Sequence, residues 1–292
     1  MTDLYALALD IGGSHVTAAV VDLEARRVVE NSLSRRGTKI DDPEVTLIEA
    51  WAGAALDALE KAGVGTVARV GAGMPGPFDY GQGISWHTQK FTSLYGQSVY
   101  QAMQNRWQNT PLEGVKLRFA NDAALWALGE WWLGDMQGMK RVIGVTLGTG
   151  LGSGFINEGR IISAGESVPP GGEIWNTPYL DDIAENYAAA ASLTRFYRKL
   201  TGVELTPAEI AARAANGEAA ACQIYHEFGA HLGAIFAPWI ECFRPDCLVM
   251  GGNIAHAWPY FREALSASLP GLDCRVTEFF EASSLLGAAA LS

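Results

Sequence analysis

Asp10, Gly12 and Gly13, in LALDIGGSHVTAAVVD (residues 7–22), put a carboxylate just ahead of two positions without side chains. The flanking runs, rich in Val, Leu and Ala, read as strands, so the glycines fall in the turn of a hairpin. Glycines there let backbone N–H groups approach an anion, and a carboxylate beside them suits a hydrated Mg²⁺. A plain hairpin turn accounts for the same residues equally well. The spacing is not GxGxxG and no helix follows, which excludes a dinucleotide-binding fingerprint. VIGVTLGTGLGSGFINEGRI (142–161) repeats the device, with Thr149 between Gly148 and Gly150. Two such turns suggest two similar halves facing each other across a cleft, with nucleotide phosphates between the turns.

Between them lies VKLRFANDAALWALGEWWLG (115–134). Val115–Phe119 reads as a strand and Ala123–Leu133 as an amphipathic helix, with Asn121-Asp122 at the junction. The pair suits a helix N-cap. Asp122 equally suits a general base toward a hydroxyl that accepts a phosphoryl group, with Asn121 orienting its neighbour. Glu173 follows the loop-rich SVPPGG, and Glu185 lies near the start of a helical run, Ile183–Lys199. Carboxylates read sugar hydroxyls well, and they are also favoured on the surface near a helix start.

The elements that must hold these residues fit two lobes. Residues 43–63 form a strong amphipathic helix with Pro43 at its start and Gly63 after its end. VARVGAGMPGPFD is strand then loop, Ser98–Gln108 is a helix, and helix Glu218–Phe243 precedes strand Cys247–Met250. A helix after Gly251-Gly252 offers N–H groups to a nucleotide. FFEASSLLGAAALS closes the chain as a helix of small residues.

Composition narrows the function classes. The 292 residues are 49% hydrophobic and 18% charged, as in an ordinary globular protein. A net charge of −11 argues against nucleic acid or an anionic membrane as partner. No basic-plus-apolar leader or membrane-length apolar run is seen, so a cytoplasmic location is expected. Cys222, Cys242, Cys247 and Cys274 lack a CxxC pair and read as buried, reduced thiols. His87 reads as a satisfied or solvated histidine, and Trp126, Trp131 and Trp132 as core.

In order, DIGGSH, GMPGPFD, FANDA, TLGTGLGSG, GGEI, ENYAAA and LVMGGNI resemble the ROK family of bacterial sugar kinases and repressors, from residue 7 to the final SSLLGAAALS. The resemblance implies an α/β, actin-like ATPase fold (ribonuclease H-like, hexokinase-type) of two lobes around a cleft. It implies an N-terminal lobe of residues 1–115, with helix 280–292 packing back on it, and a C-terminal lobe of 116–279. By the same resemblance Asp10 belongs to the Mg²⁺ site, with Gly12, Gly13 and Ser14 in the first phosphate loop. Gly148, Thr149 and Gly150 form the second, and Gly251, Gly252 and Asn253 lie by the adenosine. Asp122 is the catalytic base, and Asn121, Glu173, Glu185 and Gly76 contact the sugar. Asn253 stands where the family usually has a third glycine.

Two departures matter. Members usually continue GEI with Gly-His and a Cys-rich, zinc-binding segment. Here Trp175 and Asn176 follow, and residues 158–221 contain neither Cys nor His, so no zinc is expected. Asn176 is left to supply one hydrogen bond in place of that His. Lys90, in SWHTQKFTSLYG, falls near the position of a sugar-side Asn and reads either as a hydroxyl-reading group or as a solvated loop lysine. The expected activity is ATP- and Mg²⁺-dependent phosphorylation of a hexose or related sugar by a homodimer or higher homo-oligomer. A catalytically silent sugar sensor and a polyphosphate-dependent kinase are the alternatives. The repressor branch is set aside because only six residues precede Leu7, against the long DNA-binding segment that branch carries.

Overall fold

The structure, a computed structural model, describes residues 4–134, 136–279 and 282–291. The chain forms two compact units, residues 1–133 with 281–292, and residues 134–280.

The first unit begins with antiparallel β1 (Tyr5–Ile11) and β2 (His15–Asp22), to which β3 (Arg27–Val28) and β4 (Ser34–Gly37) add on the β2 side. There follow α1 (Glu44–Ala62), β5 (Arg69–Gly73), the small hairpin β6 (Phe78–Asp79) and β7 (Ile84–Ser85), α2 (Val99–Arg106), β8 (Leu117–Ala120) and α3 (Asp122–Trp132). The sheet runs β3-β2-β1-β5-β8, and β1, β5 and β8 are parallel. β1 is apolar on both faces, as a strand covered by helices requires. α1 buries Leu47, Ile48, Trp51 and a row of alanines, and Gly63 ends it in the left-handed conformation at φ 64°. Each large side chain so buried contributes about 1.5–3 kcal/mol.

The C-terminal helix (Ala282–Ala290) belongs to this unit. A Cβ on Gly129 of α3 would lie 1.9 Å from the Ser283 carbonyl oxygen, and one on Gly287 would lie 1.8 Å from that of Leu125. The two helices therefore meet backbone to backbone, which only paired glycines allow. At this contact the Ser283 hydroxyl donates to the buried Glu130 carboxylate, and Arg69 Nε donates to the Ala289 carbonyl at 3.0 Å.

The second unit opens with β9 (Arg141–Leu147), β10 (Leu151–Asn157) and β11 (Arg160–Ile161), then the hairpin β12 (Pro178–Tyr179) and β13 (Asp182–Ile183). Four helices follow, α4 (Glu185–Ala188), α5 (Ala190–Thr201), α6 (Pro207–Ala215) and α7 (Ala219–Phe243), and then β14 (Cys247–Gly251), α8 (Trp258–Ser268) and β15 (Asp273–Val276). Its sheet runs β11-β10-β9-β14-β15, with β9, β14 and β15 parallel, the order and directions of the first sheet repeated. α6 starts with a complete capping box between Thr206 and Glu209.

Three expectations are corrected. The units divide at Leu133/Gly134 rather than 115/116, because β8 pairs with β5 and α3 packs on the C-terminal helix. Asn121 and Asp122 thus lie in the first unit. The run Ile183–Lys199 is not one helix: Ile183 ends β13, and Ala189 is extended (φ −132°, ψ 176°) between α4 and α5. The break frees the Ala190 N–H to donate to the Gly148 carbonyl at 2.9 Å. Of the four cysteines, all free thiols, only Cys247 is buried, and Cys242 is exposed on α7. Phe280, Glu281 and Ser292, in the segment expected to pack back, lie outside the described residues.

Candidate active site

In the first unit the sheet assembles the site. Parallel register places Asp10 beside Gly73 and Gly73 beside Ala120, so β1, β5 and β8 end together. Asp10, the Met74–Gly76 loop and Asn121-Asp122 all leave from this carboxyl edge, where open α/β sheets bind ligands. The Met74 N–H donates to the Ala120 carbonyl at 3.0 Å, joining two of these exits. Asp10 is half-buried, and a Cβ on Gly73 would stand at ordinary contact distance, 3.7 Å, from its Oδ1.

The turn after β1 is closed by Gly12 N–H donating to the His15 carbonyl at 2.9 Å. Neither Gly12 nor Gly13 has a positive φ. Backbone strain therefore does not demand glycine there; what the glycines provide is bare main chain, Gly13 and Ser14 being exposed. The Ser14 hydroxyl and Arg35 Nη2 lie 2.9 and 3.2 Å from His15 Nδ1.

Asn121 caps α3, its Oδ1 accepting from the N–H groups of Ala123 at 2.9 Å and Ala124 at 3.2 Å. Its Nδ2 donates to the Tyr80 hydroxyl at 3.3 Å, which itself donates to the Met74 carbonyl at 3.1 Å. Asp122, the first residue of the helix, is exposed and within 2.9 Å of the Ala123 N–H. Both readings of this pair are thus compatible, since the asparagine does the capping and the aspartate faces outward.

His87 is fully buried, with Nε2 donating to the Pro75 carbonyl and Nδ1 accepting from the Ser85 hydroxyl, both at 2.8 Å. Burial pushes its pKa below the ordinary value, and Lys90 adds to that push. A neutral histidine therefore pins the loop carrying Gly76. Lys90 is half-buried in the same loop region.

The second unit repeats the plan, with β9 and β14 ending together. Gly148, Thr149 and Gly150 link β9 to β10, the Gly148 N–H donating to the Gly150 carbonyl at 3.1 Å. Glu185 grips this turn, its Oε2 accepting from the Leu151 N–H at 2.9 Å. A Cβ on Gly150 would lie 2.6 Å from that oxygen, so glycine is required for the grip. Gly251 ends β14, and the main chain of Gly252 (φ 83°) passes so close to Leu147 that a Cβ would meet its carbonyl oxygen at 2.4 Å. A single 3-10 turn, Asn253–Ala257, separates these residues from α8, and the Ala255 N–H donates to Gly252.

Glu173 is held from both sides of the chain. Buried Ser153 of β10 donates to the Gly172 carbonyl at 2.7 Å and accepts from the Ile174 N–H at 3.0 Å. Trp175 Nε1 donates to Glu173 Oε2 at 2.8 Å, and the Glu185 N–H donates to the Trp175 carbonyl at 2.9 Å. Glu173, Trp175, Glu185 and the second glycine turn therefore form one connected group, whereas Asn176 is exposed and outside these contacts. The hairpin that follows is seated by aromatic packing. The rings of Tyr179, Tyr187 and Phe196 surround His231 at centroid distances of 5.7, 5.1 and 6.1 Å, and Tyr179 shares a hydrogen bond with His231 Nδ1 at 2.9 Å. Among the described residues no group of three or more His, Cys, Asp or Glu could hold a metal ion.

Ser153, Tyr80 and Trp175 escape motif reasoning. Ser153 was visible only as part of a glycine-rich string, and Tyr80 lies beyond the motif it serves. Trp175 was visible as a substitution but not as a partner of Glu173.

Comparisons with known proteins agree over nearly the whole chain. The ROK family profile matches residues 6–291. An N-acetyl-D-glucosamine kinase of Haemophilus influenzae is 26% identical over 285 residues, covering 90% of this chain and 88% of that protein. A glucokinase of Thermotoga maritima is 24% identical over 290 residues, 88% of this chain and 84% of its own. The crystal structure of a ROK hexokinase from Thermus thermophilus superposes with a TM-score of 0.82 at 25% identity, covering 98% of this chain and 97% of that one. The chain has the actin-like, hexokinase-type α/β fold of these structures.

Proposed function

This chain belongs to the ROK family, and from that premise we propose that it is a sugar kinase moving the terminal phosphoryl group of ATP to a hydroxyl of a hexose or related sugar. The observation that carries the proposal is the first unit's carboxyl edge, where an exposed carboxylate, Asp122, is fixed by an Asn121 cap beside Asp10 and a bare glycine turn. The similar kinases from Haemophilus and Thermotoga support sugar as the acceptor class.

In this mechanism Asp122 accepts the proton of the attacking hydroxyl. Asn121, oriented by Tyr80, reads a neighbouring hydroxyl. Glu173, oriented by Trp175, reads another, and Glu185 keeps the second glycine turn in shape for phosphate. Gly12 and Gly148 close the two turns with their own N–H groups, the amides of Gly13 and Gly150 spread the phosphate charge, and Gly251 to Asn253 flank the nucleoside. Mg²⁺ fits the donor set, because one hard, half-buried carboxylate, Asp10, at the carboxyl edge of the sheet is what a phosphate-bound Mg²⁺ needs. That ion supplies charge neutralisation on the phosphates when it is bound. We read residues 158–221 as holding no zinc, since they contain neither Cys nor His.

The test is ADP release from Mg-ATP across glucose, mannose, fructose, allose, N-acetylglucosamine and N-acetylmannosamine. Turnover on one sugar, lost in Asp122→Ala, supports the mechanism and names the substrate. Full turnover in Asp122→Ala would sink the general-base assignment. Silence on every sugar while sugar still binds would overturn the ATP-dependent kinase in favour of another donor or a sensor.

A further inference from the structure

Lys90 is tethered to two of the segments that leave the carboxyl edge of the first sheet. On one side His87 donates to the Pro75 carbonyl at 2.8 Å, which ties the chain just before Lys90 to the loop carrying Gly76. On the other side the Phe91 N–H donates to the Ile40 carbonyl at 2.7 Å, and Ile40 Cγ2 lies 3.1 Å from a Cβ built on Gly13 of the first glycine turn. Phe91 is fully buried, its ring edge-to-face with those of Trp51 and His87 at centroid distances of 5.5 Å, and its backbone is left-handed at φ 50°. That conformation is costly for a residue with a Cβ, and such strain collects at functional sites.

Lys90 is half-buried, and among the described residues its ammonium has no hydrogen-bond or ion-pair partner. Two cations of β4, beside the first turn, are engaged. Arg36 makes two hydrogen bonds of 2.8 Å to Asp57, and Arg35 Nη2 lies 3.2 Å from His15 Nδ1. In a chain of net charge −11, a lysine left without a carboxylate runs against the average. An ammonium partly withdrawn from water is stabilised when an anion reaches it. Its charge is already felt in the loop, adding to the burial that lowers the pKa of His87.

We propose that Lys90 is a catalytic residue that meets the phosphoryl group in transit from donor to sugar. The inference rests on the phosphoryl-transfer reading above. A phosphoryl group passing from the first glycine turn to a sugar beside Gly76 moves between the two segments to which Lys90 is tethered. In that step the sugar hydroxyl oxygen bonds to the terminal phosphorus of ATP, the bond from that phosphorus to its bridging oxygen breaks, and ADP leaves with the electron pair. The hydroxyl proton goes to Asp122, while Lys90 neither gives nor takes one. Its point charge falls on the non-bridging oxygens of the moving group.

The experiment compares the wild type with Lys90→Gln and Lys90→Arg. Steady-state ADP release is measured with the six sugars above and with glucuronic acid. Calorimetric titration follows with Mg-ADP, alone and with aluminium fluoride plus the best acceptor, the fluoride standing in for the phosphoryl group. We expect Lys90→Gln to lower kcat about 10²-fold while the KM for sugar moves by less than about threefold, and Lys90→Arg to recover part of the loss. Mg-ADP alone should bind Lys90→Gln as it binds the wild type, which also checks the fold, whereas the aluminium fluoride complex should be at least about tenfold weaker. A raised KM for sugar at unchanged kcat would make Lys90 a reader of a hydroxyl, and a preference for glucuronic acid that Lys90→Gln abolishes would put it on an acidic acceptor. Either result overturns the proposal, as does wild-type behaviour of Lys90→Gln throughout. A wild type silent on every sugar removes the kinase reading and this proposal with it, whereas an active wild type with an undiminished Lys90→Gln removes the proposal alone.

Discussion

The two glycine turns occupy the same place in two sheets of the same order, yet they are held differently. The turn at Gly12-Gly13 is closed by main chain alone, and its nearest foreign atom to a built Cβ is Ile40 Cγ2 at 3.1 Å from Gly13. The turn at Gly148–Gly150 is clamped by a carboxylate, Glu185, and by the start of α5. One turn presents exposed main chain at Gly13 and Ser14, and the other is shaped by a side chain that reaches it from another element. Equal motifs in a sequence therefore do not carry equal tolerance to change.

The largest effect that would sharpen this comparison lies beside the first turn. Asp122→Ala is expected to cut turnover about 10²–10⁴-fold while the melting temperature barely moves, because the carboxylate is exposed and Asn121 does the capping. Steady-state rates and circular dichroism on one preparation check it. Next comes a matched pair. Gly150→Ala pushes a methyl group to 2.6 Å from Glu185 Oε2, and should lower turnover about 10²-fold and melt early. Gly12→Ala meets only the His15 carbonyl, at 3.4 Å, and should keep its melting temperature and show its loss in the KM for ATP. Equal melting temperatures for the two would break the comparison.

Glu185→Ala removes the acceptor of the Leu151 N–H and should cost about 1–3 kcal/mol, whereas Glu185→Gln keeps an oxygen acceptor and should cost less. Denaturant titrations rank the two. The smallest effect is one of pH. Burial lowers the pKa of His87, so the unfolded chain binds its proton more readily than the folded one. Stability is then full above the unfolded value near 6.5 and falls as the pH drops toward the folded value, by at most about 1.4 kcal/mol per pH unit. His231, also lowered by burial, adds a drop of the same sign. His87→Gln should be less stable at neutral pH and show a shallower fall between about pH 6.5 and 5. An unchanged slope would argue against a neutral, buried His87.

Much of this was legible because apolar periodicity and glycine placement are local signals. The span of α1, the two strand pairs around the glycine turns and the junction before α3 can be read from neighbouring residues alone. The side-chain clamps are a different matter. Glu185 reaching Leu151, Ser153 bridging Gly172 and Ile174, and Tyr80 reaching Asn121 each join residues far apart in the chain, and nothing in a short window announces them. The unit boundary escapes a short window for the same reason, since the glycine contact that ties α3 to the C-terminal helix spans more than half the sequence.

That contact also sets a timetable for biogenesis. At ribosomal speeds of about 5–20 residues per second, the stretch from Leu133 to the C-terminal helix takes roughly 7–30 s to emerge. During that interval the α3 face that receives Gly287 stands open on the nascent chain, while the second unit has all its own strands and helices by residue 280. The part of the protein made first is therefore the part finished last, and its nascent α3 face is where a chaperone would be expected to wait.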